Sequence, residues 1–304
     1  MTHFLSIEKS NREELLRLLA DTQKFKVTRG QSNSLLSGQT WSLIFNKPST
    51  RTRISFEVGL RELGANVIFL SQNDLQLGRG EPIIDTARVL GRIVHGAVIR
   101  TFAQADLESF ASYGAIPTIN ALTDEEHPCQ IVADLFTILE ERGMIDGLKL
   151  CFVGDGDCNV TRSWIWAAEH LGFELRVAAP EKYQPAETLK RRIKSPKITF
   201  TGDVKAAATG ADVLYTDVWV SMGKETESAG RLADLADFQI NDELVKLAAP
   251  GALVMHCLPA YRGKEITESV LETHATTIFS QAENRLHAQK AIIAAVTPSP
   301  AFAN

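Results

Sequence analysis

Cysteine is scarce and scattered in this chain: Cys129, Cys151, Cys158 and Cys257 form no C-x-x-C pair. That spacing excludes a disulfide framework or a zinc cluster as the basis of the fold. No apolar stretch approaches the ~20 residues needed to span a bilayer. Met1–Lys9 lacks the basic and apolar regions of a secretory signal. A long basic run is also missing. With 32 Lys and Arg against 37 Asp and Glu, the net charge is −5. A mildly acidic chain of this kind is a poor nucleic-acid binder, so any anion it takes must be held by a local group of cations. The expectation is a soluble, reduced, cytoplasmic protein with neither nucleic-acid nor membrane partners.

What is present is ordinary globular composition, 44% hydrophobic and 23% charged over 304 residues. That length suggests about two domains and a core large enough to need no staple. After an opening helix at 11–20, β-rich runs alternate with amphipathic segments. Strands are expected at 41–45, 66–70, 97–100 and 116–119, with helices starting near Ser49 and over 83–93 and 105–112. Pro128–Arg142 carries Ile131, Val132, Leu135, Phe136 and Leu139 on one stripe, with Pro128 suited to the first turn and Gly143 to the cap. The alternation restarts at Leu148, with strands at 149–153, 174–178, 197–200, 213–216, 252–255 and 276–279. Helices fall at 161–171, 186–193, 204–208 and 283–296. This is an α/β pattern of two Rossmann-like parallel-sheet lobes, with an active site expected in the cleft between them. The expected domains are 1–143, completed by a helix at about 283–304, and 144–282.

Ligands of such sheets sit beyond the carboxyl ends of the strands. Polar residues there are plentiful: Ser49-Thr50-Arg51-Thr52-Arg53, Arg100, His127, Asp155 to Asn159, Asp217 and His256-Cys257. Ser49–Arg53 follows a strand and opens a helix. Its free N–H groups and two arginines form an anion site, which a buried setting strengthens. It is no P-loop, because Gly-x-x-x-x-Gly-Lys is missing. Gly154-Asp155-Gly156 is half of a dinucleotide fingerprint. However, Asn159 stands where the third glycine belongs, and Val177-Ala178-Ala179-Pro180 offers no acidic residue for a ribose.

Phe45–Glu57, with Ser49-Thr50-Arg51-Thr52-Arg53 at its centre, resembles the carbamoyl-phosphate loop of the aspartate and ornithine carbamoyltransferases. His127-Pro128-Cys129-Gln130 is similar to their second signature. Gln76–Glu81, Asp217–Gly223, His256–Ala260 and Glu283-Asn284-Arg285 extend the likeness over about residues 40–290, and the two segments after Asp217 and His256 match the ornithine branch. The resemblance implies transfer of the carbamoyl group of carbamoyl phosphate to the side-chain amine of L-ornithine, giving L-citrulline and phosphate by direct attack. It implies no metal or other cofactor, a homotrimer or multiple of trimers with shared active sites, and a place in arginine metabolism on the biosynthetic side.

By the same resemblance, carbamoyl phosphate is held by Ser49, Thr50, Arg51, Thr52, Gln76, Arg100, His127, Pro128, Cys129, Gln130, Cys257, Leu258 and Arg285. Gln76 reaches a neighbouring subunit, and Thr52, Arg100 and His127 face the carbamoyl oxygen. L-Ornithine is held by Asn159, Asp217, Ser221 and Met222, the Ser221-Met222-Gly223 loop closing over it. Arg100, His127, Cys257 and Asp217 are the catalytic set, and Leu258-Pro259 is expected to be cis. Family members often carry two asparagines where this chain has Cys158-Asn159. A nucleophilic role for Cys257 is disfavoured, since His256 is expected on the opposite face of a strand. Two competitors stand beside this reading. One is a carbamoyltransferase for another amine, such as putrescine, which has no carboxylate for Asn159 to meet, or an acylated ornithine. The other is a binding protein without turnover.

Overall fold

Proline and glycine punctuate the chain between apolar runs, and most of those runs become parallel strands. A computed structural model describes residues 1–31, 33–74, 80–221 and 223–297, the side chain of Glu225 aside. The chain begins with α1 (Arg12–Val27), β1 (Thr40–Phe45), α2 (Thr50–Glu62), β2 (Asn66–Ser71), α3 (Ile83–Leu90), β3 (Gly96–Arg100), α4 (Gln104–Gly114), β4 (Thr118–Leu122) and α5 (Pro128–Arg142). It continues with β5 (Lys149–Val153), α6 (Asn159–Leu171), β6 (Glu174–Ala178), α7 (Glu187–Lys190), β7 (Ile198–Thr201), α8 (Val204–Ala208), β8 (Val213–Thr216), α9 (Ser228–Asp234), α10 (Asp242–Leu247), β9 (Leu253–His256), α11 (Glu268–Thr273) and α12 (Ala275–Val296).

Two compact units result. One comprises Met1–Phe136 and Asn284–Asn304, the other Thr137–Glu283, so the chain crosses within α5 and again within α12. The first unit holds a parallel sheet in the order β2-β1-β3-β4. Its interior strand β3 and its edge strand β4, which bridges to Phe4 through Ile119, are buried along their whole length, as a parallel sheet covered on both faces requires. Ile44, Ala97, Ile99, Leu107 and Phe110 pack together there. The second unit holds a parallel sheet in the order β7-β6-β5-β8-β9. Its core joins Val153, Leu214 and Val254 to Trp219, Leu235 and Phe238.

Each sheet reverses its winding once, between β1 and β3 in the first and between β5 and β8 in the second. At such a switch point the flanking loops diverge and leave room for a ligand beyond the strand ends. In the first sheet Phe45 lies beside Arg100; in the second Val153 lies beside Thr216. The residues just after those positions are therefore the ones to inspect.

Three expectations need correction. Residues 276–279 are no strand but the first turns of α12, where Ile278 N–H donates to the His274 carbonyl at 3.1 Å. Ile278 is buried and Phe279 exposed, so a strand-like alternation sits on a helix; tertiary packing overrides the β preference of the threonines and isoleucine. Arg285 consequently lies well inside α12 rather than at its start. The strand expected at 116–119 begins at Thr118, because Pro117 has no N–H to give a ladder. Pro128 opens α5 as expected, and Gly143 follows it at φ +76° with its N–H on the Leu139 carbonyl.

Candidate active site

At the switch point of the first sheet, Ser49 caps α2. Its hydroxyl oxygen accepts the Thr52 N–H at 3.3 Å, and its own hydroxyl donates to Thr52 Oγ1 at 2.9 Å. Thr52 is buried, and Arg285 Nη2 from α12 donates to its Oγ1 at 2.5 Å. Arg100 ends β3 and is buried; its carbonyl accepts the Asn46 N–H at 2.8 Å, which ties the loop after β1 to β3. His127 is buried one residue before α5, and its carbonyl accepts the first N–H groups of that helix from Gln130 and Ile131. Burial, then the charges of Arg285 and Arg100, hold the His127 imidazole well below its ordinary range, so it is neutral at physiological pH. A helix N-terminus, two buried guanidinium groups and a neutral imidazole thus converge on one anion-binding corner.

The other residues expected here divide. Thr50 is exposed and Arg51 half-buried, and Arg51 has no protein partner among the described residues. Arg53 is engaged elsewhere, its guanidinium 3.6 Å over the Phe69 ring and 3.6 Å from Glu57. The cationic pair inferred from sequence therefore reduces to Arg51. Cys129 faces inward, donating to the Asn120 carbonyl at 3.2 Å, and burial pushes its thiol far up. Gln130 is buried and donates to Asp134 at 2.7 Å. Gln76 and Met222 lie outside the described residues.

At the switch point of the second sheet, Asp217 follows β8 and is half-buried. Its Oδ1 accepts the Val218 N–H at 2.7 Å and the Cys257 thiol at 2.9 Å. Burial raises its carboxyl above the usual range, and His256, Cys257 and the Val218 N–H offset this only in part. Asn159 is the first residue of α6, whose cap is the Cys158 sulfur, accepting the Thr161 N–H at 3.5 Å. Gly156 owes its place to packing, since a Cβ there would meet the Tyr183 carbonyl oxygen at 2.9 Å. That close approach explains the Gly-x-Gly without a dinucleotide. Ser221 is half-buried, and its carbonyl accepts the Lys224 N–H at 3.0 Å.

His256 does not lie across a pleat from Cys257, because β9 ends at His256 and the chain turns. Asp217, His256 and Cys257 each place a ligand-type atom within 4.8 Å of the others. Both imidazole nitrogens are already engaged. Nδ1 accepts the Leu258 N–H at 2.8 Å, so the proton sits on Nε2 and faces Glu265 Oε1 at 3.2 Å. His256 is therefore placed to hold Leu258, not to act as a base for Cys257. A metal at this spot would draw on Asp217 and the Cys257 sulfur and would have to break one of those bonds at His256. Leu258 sits at φ +58° and its bond to Pro259 is cis.

Comparison with known proteins decides the family. The model "Aspartate/ornithine carbamoyltransferase, carbamoyl-P binding domain" matches residues 2–140, and the Asp/Orn binding domain of the same family matches residues 146–296. The chain belongs to the aspartate/ornithine carbamoyltransferase family. Among its relatives is the ornithine carbamoyltransferase of Akkermansia muciniphila, 56% identical with 97% of each chain covered. That of Geobacter metallireducens is 48% identical over 97% of this chain and 98% of the other. The solved anabolic ornithine carbamoyltransferase of Campylobacter jejuni superposes with a TM-score of 0.92 at 40% identity, covering 97% and 99% of the two chains. The enzyme of Pyrococcus furiosus gives 0.91 at 43%, covering 97% and 96%.

One residue of this family member was invisible to motif reading. Arg231 in α9 is buried; its Nε donates to the Trp219 carbonyl at 2.6 Å, and Nη2 pairs with the Asp155 carboxylate. It thereby joins the loop after β5 to the loop after β8. The only sequence signal was one arginine inside the polar run 220–234. Removing one member of a buried pair strands the other charge. Arg231→Met is expected to lower unfolding free energy by about 3 kcal/mol in urea titrations. Adding Asp155→Asn should restore part of the loss, whereas additive losses would show that the pair is not coupled.

Proposed function

We propose that this chain transfers the carbamoyl group of carbamoyl phosphate to the side-chain amine of L-ornithine, releasing L-citrulline and phosphate. The observation that carries the reading is the contrast between the two switch points. One gathers cations and donors suited to an anhydride phosphate and its carbonyl oxygen; the other presents Asp217, a carboxylate suited to an ammonium group. Arg51, Arg285 and the α2 N-terminus hold the phosphate, with Ser49, Thr50 and Gln130 completing its contacts and Gln76 supplied by a neighbouring subunit. Thr52, Arg100 and neutral His127 donate to the carbamoyl oxygen, on which negative charge grows as the amine attacks. Asp217 binds the α-ammonium group of ornithine and Asn159 its α-carboxylate, while Ser221 and Met222 belong to the loop that closes over it. Cys257 and the Leu258 carbonyl line the attacking amine.

The division of labour follows the domains, 1–143 with about 283–304 for carbamoyl phosphate and 144–282 for ornithine. The enzyme assembles as a homotrimer and works in the cytoplasm, in arginine biosynthesis. The edge strand β2, with Ile68 44% exposed, supports burial against another copy. Among the described residues no helix is long and apolar enough to cross a membrane.

Cleavage at the carbonyl carbon is tested with carbamoyl phosphate carrying 18O in its bridging oxygen. Citrulline and phosphate should form in equal amounts, with the label wholly in phosphate. Label in citrulline would contradict attack at the carbonyl carbon.

A pH dependence follows as well. An amine with a pKa near 10.4 is neutral in only about 1 molecule in 2,500 at pH 7, equivalent to about 4.6 kcal/mol. The rate at subsaturating ornithine should therefore rise close to tenfold per pH unit from pH 7 to 9. His127 is pushed down and stays neutral across that range, so it adds no break near pH 6.5. Protonation of Asp217, whose carboxyl is pushed up, deepens the loss on the acid side. A flat profile would contradict the account.

A further inference from the structure

The residue before His127 is a glutamate, and its carboxylate is buried. Glu126 Oε2 accepts the Ile7 N–H at 2.8 Å and Oε1 the Glu8 N–H at 3.2 Å. Those two peptides belong to a segment near the start of the chain, fixed beside β4: Phe4 N–H donates to the Thr118 carbonyl at 2.9 Å, and Asn120 N–H to the Phe4 carbonyl at 2.8 Å. The Leu5 carbonyl accepts Asn120 Nδ2 at 2.8 Å and Gln104 Nε2 at 3.2 Å. The backbone of Glu126 closes the turn after β4. Its N–H donates to Thr123 Oγ1 at 3.2 Å, and its carbonyl accepts the Thr123 N–H at 2.9 Å. Thr123 Oγ1 in turn donates to Gln104 Oε1 at 2.8 Å. The result is a closed ring running from β4 through the turn, the Glu126 side chain and residues 4–8, back to β4.

We propose that Glu126, clamped by residues 4–8, is a positioning residue for His127, so that the start of the chain is a working part of the carbamoyl-phosphate site. The inference rests on the carbamoyl-transfer reading above. An apolar side chain would fill the same volume without the cost of burying a charge, and buried charges persist where hydrogen bonds are aimed at them. Here two peptide N–H groups are aimed at the two oxygens. His127 is held from its other side by α5, whose first N–H groups bond to its carbonyl. The imidazole therefore enters the anion corner from a backbone fixed at both ends, as a donor that must meet one oxygen requires.

The test uses the full-length Glu126→Gln enzyme, which turns one acceptor oxygen into an amide facing an N–H, and Glu126→Asp as the conservative variant. Citrulline formation, inorganic-phosphate affinity by calorimetry, the urea midpoint and the His127 ring titration by NMR are measured together, with His127→Asn assigning the ring signal. Glu126→Gln should lower kcat at least tenfold, keep phosphate affinity and the KM for ornithine within twofold, and move the His127 titration upward from its depressed range. Glu126→Asp should fall between this variant and the natural chain. Unchanged kcat with an unmoved His127 titration would overturn the inference, as would a loss that follows the urea midpoint with that titration unmoved. Absence of citrulline from the natural chain would remove the functional reading itself. The His127 titration still decides the positioning role in that case.

Discussion

His127→Ala is expected to lower kcat by roughly 10²–10³-fold, the usual effect of removing one preorganised donor from a developing oxyanion. The size follows from the setting. The imidazole is buried, neutral and flanked by Arg100 and Arg285, whose charges together with burial depress its pKa. A neutral ring donates one N–H without the repulsion that a third cation would bring to that corner. The KM for ornithine should hardly move, because His127 belongs to the first sheet's site. Steady-state kinetics with both substrates varied, beside a urea titration to check folding, separate these effects. A kcat within threefold of the natural enzyme would exclude His127 from the reaction.

Asp217→Asn is expected to cut kcat/KM for ornithine by about 10–150-fold, the 1.5–3 kcal/mol typical of a hydrogen bond to a charged group. The loss should be confined to amines bearing an α-ammonium group. Slow turnover of N-acetylornithine, whose α-nitrogen is an uncharged amide, should be unchanged. Stability should move the other way. Burial raises the Asp217 carboxyl, so the folded state holds that proton more tightly than the unfolded chain. The ionised group therefore works against folding in the neutral range, and this contribution vanishes below its unfolded pKa. Asp217→Asn should accordingly unfold at the same or higher urea concentration at pH 8. Equal losses with ornithine and N-acetylornithine would show that Asp217 does not read the α-amine.

Much of this arrangement was legible without coordinates. Strands 149–153, 174–178 and 213–216 and helix 128–142 fall where the apolar periodicity puts them, because burial of those runs and their caps agree. The polar residues after β1, β3, β5 and β8 follow from strand order, which fixes the switch points. Periodicity failed where local alternation and tertiary context disagree, as at Ile278 and Phe279 in α12. It also passed over α9, α10 and α11, which are only six or seven residues long. Arg231 and Glu126 escaped for another reason. Each acts by what it touches far along the chain, and no spacing announces that Arg231 reaches Trp219 and Asp155, or that Glu126 meets Ile7. Arg53 shows the converse, a motif residue that the fold spends on Phe69 and Glu57.

The most direct measurement is the initial rate of carbamoyl transfer from carbamoyl phosphate to L-ornithine, putrescine, N-acetylornithine and L-aspartate under one set of conditions. The account predicts citrulline from ornithine with a kcat/KM at least 100-fold above that of any other acceptor. A preference for putrescine, which lacks the carboxylate, would contradict the role given to Asn159, a preference for N-acetylornithine the role given to Asp217, and a preference for aspartate the choice of a side-chain amine. Phosphate-loop binding without transfer to any amine would contradict the enzyme itself.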